Sequence, residues 1–202
     1  MNLLLFSDVH CDKGDAEALI RRAAAPDVDL VIGAGDFGNL RRGTDQCIQW
    51  LSELKQPAIL VPGNSESFEE LRDACATAWP SATVLHGSGI EVDGVSFFGI
   101  GGGIPVTPFG SWSYDFTEGE ARALLADCPK GGVLVSHSPP KGILDVSSRG
   151  QSLGSVAVRE AIVAQSPRLV VCGHIHESGG KAQSVGETTV VNAGPGGMSF
   201  EL

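Results

Sequence analysis

The 202-residue sequence lacks the features that mark several protein classes. No CxxC pair occurs among its five cysteines (Cys11, Cys47, Cys75, Cys128 and Cys172), and their number is odd. That pattern argues against a disulfide framework and fits reduced thiols in the cytoplasm. No apolar run approaches the roughly 20 residues needed to cross a bilayer, so no membrane partner is expected. The opening MNLLLFSDVH is short and has no basic n-region, unlike a secretory signal. Repeats, low-complexity tracts and linker-like stretches are missing as well, so one domain over 1–202 is expected. Positive charge is scarce: 14 Lys and Arg stand against 24 Asp and Glu, a formal net charge of −10. Such a chain repels polyanions, which disfavours long nucleic acid and leaves small partners; a homo-oligomer is left open.

What is present suffices for a core: 42% of the residues are hydrophobic and 19% charged. The 27 glycines suit the tight loops from which α/β enzymes build their sites. Apolar runs without alternation at 3–6, 30–32, 58–61, 133–135 and 169–172 predict strands of a covered sheet. Helices are predicted at 16–24, 46–54, 68–76, 118–125 and 156–165. In the last of these, Val156, Ile162 and Val163 are expected to share one face, with Arg159 and Glu160 on the other. Asp93-Gly94 predicts a hairpin between 90–92 and 95–100, and Gly186-Glu187 predicts another between 181–185 and 189–191. Such βα units together with antiparallel pairs imply at least one mixed sheet.

Each predicted buried strand is followed by a residue able to bind a metal. The five segments are Ser7-Asp8-Val9-His10, Gly35-Asp36, Gly63-Asn64, Ser136-His137 and Gly173-His174-Ile175-His176. In α/β sheets, ligands bind beyond the carboxyl ends of the strands. Oxygen and imidazole donors of this kind suit Mn, Fe, Zn or Ni. In an extended D-x-H segment Asp8 and His10 would point the same way and could grip one ion. The same holds for His174 and His176 if Gly173 opens a turn. Any one of these pieces is common by chance, and a lone histidine is more often a hydrogen-bonded core residue. The weight lies in the ordered set, each member behind its own strand.

In that order, DxH…GD…GN…H…GHxH resembles the calcineurin-like metallophosphoesterase superfamily from Asp8 to His176. The segment His137-Ser138-Pro139-Pro140-Lys141-Gly142, with Asp145 beyond, resembles its metallophosphoesterase-domain-containing branch. The resemblance implies a four-layer α/β/β/α sandwich with two mixed sheets and a metal site at the strand carboxyl ends. It implies two divalent metal ions, of Mn, Fe, Ni or Zn. Asp8, His10, Asp36 and His176 would hold one; Asn64, His137 and His174 would hold the other, with Asp36 bridging. The implied activity is hydrolysis of a small phosphomono- or phosphodiester, such as a nucleotide or cyclic nucleotide, by a metal-bridged hydroxide. Asp36, Asn64, His137 and His174 would stand at the reacting centre. The rivals are a catalytically weak or inactive metal-binding or protein-interaction module on the same fold, and a protein phosphatase or nuclease.

Many members of that superfamily carry a histidine directly after the asparagine, as general acid toward the leaving group. Ser65 stands there instead, and a hydroxyl is too weak an acid near neutral pH. Glu66 is the nearest other donor if burial or a carboxylate raises its pKa; the plainer expectation is a solvent-facing helix start. The loop 101–114 is aromatic-rich, and Phe109, Trp112 or Tyr114 could stack on a planar group. Arg41, Arg42, Lys141 and Arg149 sit in loops where a cation could steady a phosphate oxygen. Cys11 reads as a buried filler rather than a nucleophile, and 192–197 reads equally as a site rim or a final turn.

Overall fold

In the computed structural model, which describes residues 1–25 and 27–202, the strands divide their side chains between two faces. The first half of the chain runs β1 (Asn2–Phe6), α1 (Lys13–Ala23), β2 (Leu30–Gly33), α2 (Thr44–Leu51), β3 (Ala58–Leu60), α3 (Phe68–Ala78) and β4 (Ala82–Val84). The second runs β5 (Ser88–Val92), β6 (Val95–Ile100), α4 (Glu118–Leu124), β7 (Val133–Ser136), α5 (Val156–Gln165), β8 (Leu169–Cys172), β9 (Lys181–Val185) and β10 (Thr188–Asn192). A last strand, β11 (Met198–Glu201), returns to the first sheet, whose order is β11-β1-β2-β3-β4. The second sheet has the order β5-β6-β7-β8-β10-β9. Both are mixed: β11, β5 and β9 are antiparallel to their neighbours, and the other pairings are parallel.

Side-chain alternation produces the layers. Leu4, Phe6, Val31, Ala58 and Leu60 pack with Leu19, Ile48 and Leu71 of α1, α2 and α3. Their neighbours Leu3, Leu5, Ile32 and Ile59 face Val133, Val135, Leu169 and Val171 of the second sheet. On the far side, Leu134, Val170 and Val190 pack with Ala121, Val158 and Ile162 of α4 and α5. Three cores thus separate four layers, α/β/β/α, as the resemblance implied. Every strand buried on both faces reads as a continuous apolar run for this reason.

The structure differs from expectation at three places. β4 is three residues long and half-buried, and β11 alternates half-buried with exposed residues, so neither has an apolar run to announce it. In α5 the buried face is Ala157, Val158, Ala161 and Ile162, whereas Val163 is 74% exposed and Val156 is exposed too. Those two valines lie about half a turn from the buried stripe at 3.6 residues per turn. The two alanines, poor as hydrophobic signals, are what let the helix seat on its sheet. The Asp93-Gly94 hairpin forms with both residues at positive φ, 50° and 77°, as a twist-matched two-residue turn requires.

Candidate metal centre

The chain ends of β1, β2 and β3 from one sheet and of β7 and β8 from the other deliver the seven residues to one place. The extended D-x-H geometry expected of Asp8 and His10 is not how they meet. Both have left-handed backbone (φ 56° and 48°), as do Asp36 (56°) and His174 (66°). Aspartate and histidine tolerate that region better than most residues. The coiled segment is laced to its neighbour: Asp8 N–H donates to Gly35 O and His10 N–H to Asp36 O, each at 2.9 Å. Close approach explains the adjoining glycines. A Cβ on Gly63 would collide with Asp36 Oδ1, and one on Gly173 would collide with Asp8 Oδ2.

Asp36, 4% exposed, stands between two histidines. Its Oδ2 is 3.6 Å from His10 Nε2 and its Oδ1 is 3.6 Å from His137 Nε2. His176 Nε2 lies 3.7 Å from Asp8 Oδ1. These separations exceed hydrogen-bond length and suit atoms arranged around a shared ion at about 2.0–2.2 Å. Ligand atoms of Asp8, His10 and His176 fall within 4.8 Å of one another, and so do those of Asp8, Asp36 and His137.

The donor set itself tests the fit of a metal. His137 Nδ1 lies 2.8 Å from Ala34 O and His10 Nδ1 lies 3.1 Å from Gly38 O, so each of these nitrogens carries the proton. The free lone pair of His137 Nε2 then faces an acceptor, Asn64 Oδ1, 3.2 Å away, and His10 Nε2 lies 3.1 Å from His176 Nε2. A cation between His137 Nε2 and Asn64 Oδ1 would relieve the facing lone pairs. Burial pushes the Asp36 carboxyl up, but the His137 and His10 rings outweigh it and hold it below its ordinary value. Burial pulls His137 down, but the carboxylates of Asp36 and Asp8 outweigh it and raise the ring. Burial and the neighbouring His137 bring His174 down to about 3, so this ring is a neutral donor. The residues present fit divalent ions.

Buried polar groups brace the cluster. Glu66 is fully buried, which overturns the expected solvent-facing helix start. Burial and the nearby Asp36 charge raise its pKa to about 7, yet its oxygens accept from the N–H groups of Asp36, Gly38 and Gly63 at 2.7–2.9 Å. It therefore shapes the two ligand loops and does not line the cavity as a proton donor would. The segment 192–197 passes beneath the site: Asn192 Nδ2 donates to Gly173 O and Ile175 O, and Ser7 N–H to Gly194 O. Sequence reasoning had no signal for Asn192, a lone polar residue at the end of a strand.

A cavity of about 330 Å³ opens over the cluster, lined by His10, Asp36, Asn64, Ser65, His174 and His176 together with Phe109 and Trp112. The two aromatic rings stack on each other, 5.5 Å apart at 15°. Tyr114 does not join them; it packs with His86 and Phe116. Leu40 and Leu153 also line the cavity, and sequence reasoning missed both. Arg41 stands outside the lining: it pairs with Glu70 at 2.9 Å and donates to Trp112 O at 3.4 Å, bracing the aromatic loop. Arg42 lines an adjoining recess with His10, Cys11 and Trp112. Lys141 is turned away from the cavity, its ammonium donating to Ser152 O at 2.6 Å, and Arg149 does not line it. Burial, then the Asp12 charge, raises the Cys11 thiol, against a nucleophilic role.

The family model for calcineurin-like phosphoesterases matches residues 1–178. Human metallophosphoesterase domain-containing protein 1 is 34% identical over 139 residues, which span 66% of this chain and 39% of that protein. A solved structure from Thermus thermophilus superposes with a TM-score of 0.77 at 22% identity, covering 96% of this chain and 88% of its own. A dimetal phosphatase from Danio rerio superposes with a TM-score of 0.60 at 12% identity, covering 95% and 86%.

Proposed function

The chain belongs to the calcineurin-like phosphoesterase family, a family of phosphate-ester hydrolases, and we propose that it cleaves a small phosphomono- or phosphodiester at the Asp36 cluster. The observation that carries this reading is the convergence of imidazole and carboxylate donors on Asp36, whose two oxygens lie 3.6 Å from His10 Nε2 and from His137 Nε2. Asp8, His10, Asp36 and His176 would hold one ion, and Asn64, His137 and His174 the other, with Asp36 shared. Divalent ions there would lower the pKa of a bound water and offset charge on the phosphoryl oxygens. The similar zebrafish protein, described as a dimetal phosphatase, supports two ions. We propose Mn, Fe, Ni or Zn, which mixed imidazole and carboxylate donors suit.

The chain's own residues place the substrate. Ser65 N–H donates to Asp36 Oδ1 at 2.8 Å, which restrains the carboxylate as the phosphate enters. Asn64 and His174 line the floor of the cavity, where equatorial phosphoryl oxygens would lie. The Phe109–Trp112 stack forms a wall on which a planar ester group, such as a nucleobase, would pack. No Lys or Arg is among the described residues that line this cavity, which supports a substrate with one phosphate, a nucleotide or cyclic nucleotide, over a polyphosphate. No helix among the described residues is long and apolar enough to cross a membrane. The five free thiols support a cytoplasmic location, and the core shared by both sheets supports one domain over 1–202.

Elemental analysis after reconstitution with Mn²⁺ is expected to find two ions per chain, and an activated aryl phosphodiester is expected to turn over. One ion or none would overturn the two-ion reading. Ser65, in place of an acid, favours the rival of a module without catalysis, and two ions without turnover would establish that rival. Trp112→Ala is expected to raise KM for a base-containing ester about tenfold or more while sparing a small aryl phosphate, since base–aromatic stacking contributes about 1–3 kcal/mol. Equal losses on both substrates would assign Trp112 to packing alone.

A further inference from the structure

Asn64 offers two chemically opposite ends, and only its carbonyl oxygen can face a cation. Its Oδ1 is directed at His137 Nε2, 3.2 Å away. Its Nδ2 points the other way and donates to Ser113 Oγ at 3.1 Å. Ser113 Oγ in turn lies 2.7 Å from Asp115 Oδ1. A carboxylate only accepts, so the hydroxyl proton of Ser113 goes to Asp115 and leaves the serine oxygen as an acceptor for Asn64. The other oxygen of Asp115 is taken by Thr107, whose N–H donates at 2.9 Å and whose hydroxyl donates at 2.7 Å. Gly103 makes room for the carboxylate: a Cβ there would collide with Asp115 Oδ1. The backbone completes the tie, with Tyr114 N–H donating to Asn64 O at 3.0 Å.

From this relay we infer that Ser113 and Asp115 are positioning residues that determine which end of Asn64 faces the metal. The charge of Asp115 orients the Ser113 hydroxyl, and the oriented hydroxyl admits only the NH₂ end of Asn64. Without the relay, a half-turn of the amide would present an N–H donor to the cation and cost the site a ligand. The inference rests on Asn64 being a ligand of the second ion. It also gives the loop that carries the aromatic wall another task, because Trp112 is the neighbour of Ser113: one segment aligns both the ester group and a metal ligand.

Calorimetric titration of metal-stripped protein with Mn²⁺, joined to steady-state kinetics on an aryl phosphodiester, tests this. Ser113→Ala is expected to weaken one Mn²⁺ site about 10- to 100-fold and leave the other unchanged, the range measured for groups that orient metal ligands. kcat should fall with KM nearly constant, and Ser113→Thr, which keeps the hydroxyl, should restore both. Asp115→Asn can donate to Ser113 and reverse its proton, so it is expected to weaken the same site. If both variants lower Tm but keep two wild-type Mn²⁺ affinities and wild-type kcat, the role is structural and the inference is overturned. Asn64→Ala separates the two layers of the argument. If it weakens one site and Ser113→Ala does not, only the positioning role fails; if it weakens neither, the ligand reading of Asn64 fails and the inference falls with it.

Discussion

Asp36→Asn is expected to lower turnover more than about a hundredfold and to weaken metal binding at both sites, whereas Asn64→Ala weakens only one. Substituting groups that merely orient ligands costs about 10–100-fold in affinity, so loss of a shared carboxylate should cost more. The geometry is the reason. Asp36 presents one oxygen toward His10 and the other toward His137, each at 3.6 Å, so its charge serves both sides of the cluster. Two dications held a few ångströms apart repel strongly, more so in a low-dielectric site, and a carboxylate between them offsets that repulsion. Asparagine keeps the shape, loses the charge and turns one oxygen into a donor. Metal titration and kinetics check the result; near-wild-type turnover in Asp36→Asn would show that Asp36 is not shared.

Activated aryl esters are expected to outpace alkyl esters of the same phosphate by about 10²–10⁴-fold, the contribution a general acid makes where one is present. The cavity wall beside Asn64 carries Ser65, and the carboxyl of the next residue, Glu66, is sealed behind it by three backbone N–H groups. A phenolate leaves without a proton; an alkoxide does not. Ser65→His should therefore improve alkyl esters selectively. Glu66→Gln should instead depress both classes alike and cost about 1–3 kcal/mol in stability, because its amide would set a donor against backbone donors. A rate independent of leaving-group pKa in the wild type and both variants would reveal an acid elsewhere. A selective loss of alkyl-ester activity in Glu66→Gln would return Glu66 to the role of donor.

The layering and the convergence of ligands were legible from the sequence, and for the same physical reason. Strands covered on both faces must be apolar throughout, so 3–6, 30–32, 58–61, 133–135 and 169–172 stand out, and the loops after them are where polar ligands must gather. Elements with weak burial were not legible: β4 and β11 lie at sheet edges and have no such run. The face of α5 was misread because Ala157 and Ala161 bury themselves by being small, whereas Val156 and Val163 advertise hydrophobicity on the solvent side. In the site, residue type indicated which groups gather but not how the backbone brings them together. Asp8 and His10 meet through left-handed turns that no period-two pattern describes. Lys141 looked like an anion contact by its place after His137, but a loop of polar residues offered its ammonium a carbonyl instead. Leu40 and Leu153 show the reverse: exposed leucines carry no signal in a sequence, since scattered apolar surface is normal.

The placement of the cluster between the two sheets also affects how the molecule fluctuates. Asp8, Asp36 and Asn64 belong to loops of one sheet, and His137 and His174 to loops of the other, joined by His137 to Ala34 O and by His174 N–H to Asp8. Away from this edge the sheets are held by apolar contact, which is non-directional and tolerates small sliding motions. At the cluster, parting the layers would break the directional hydrogen bonds of His137 to Ala34 O and of His174 N–H to Asp8. The edge that carries the cluster is thus the clasp of the sandwich. The His174 amide, which donates to Asp8, is therefore expected to exchange more slowly than other loop amides.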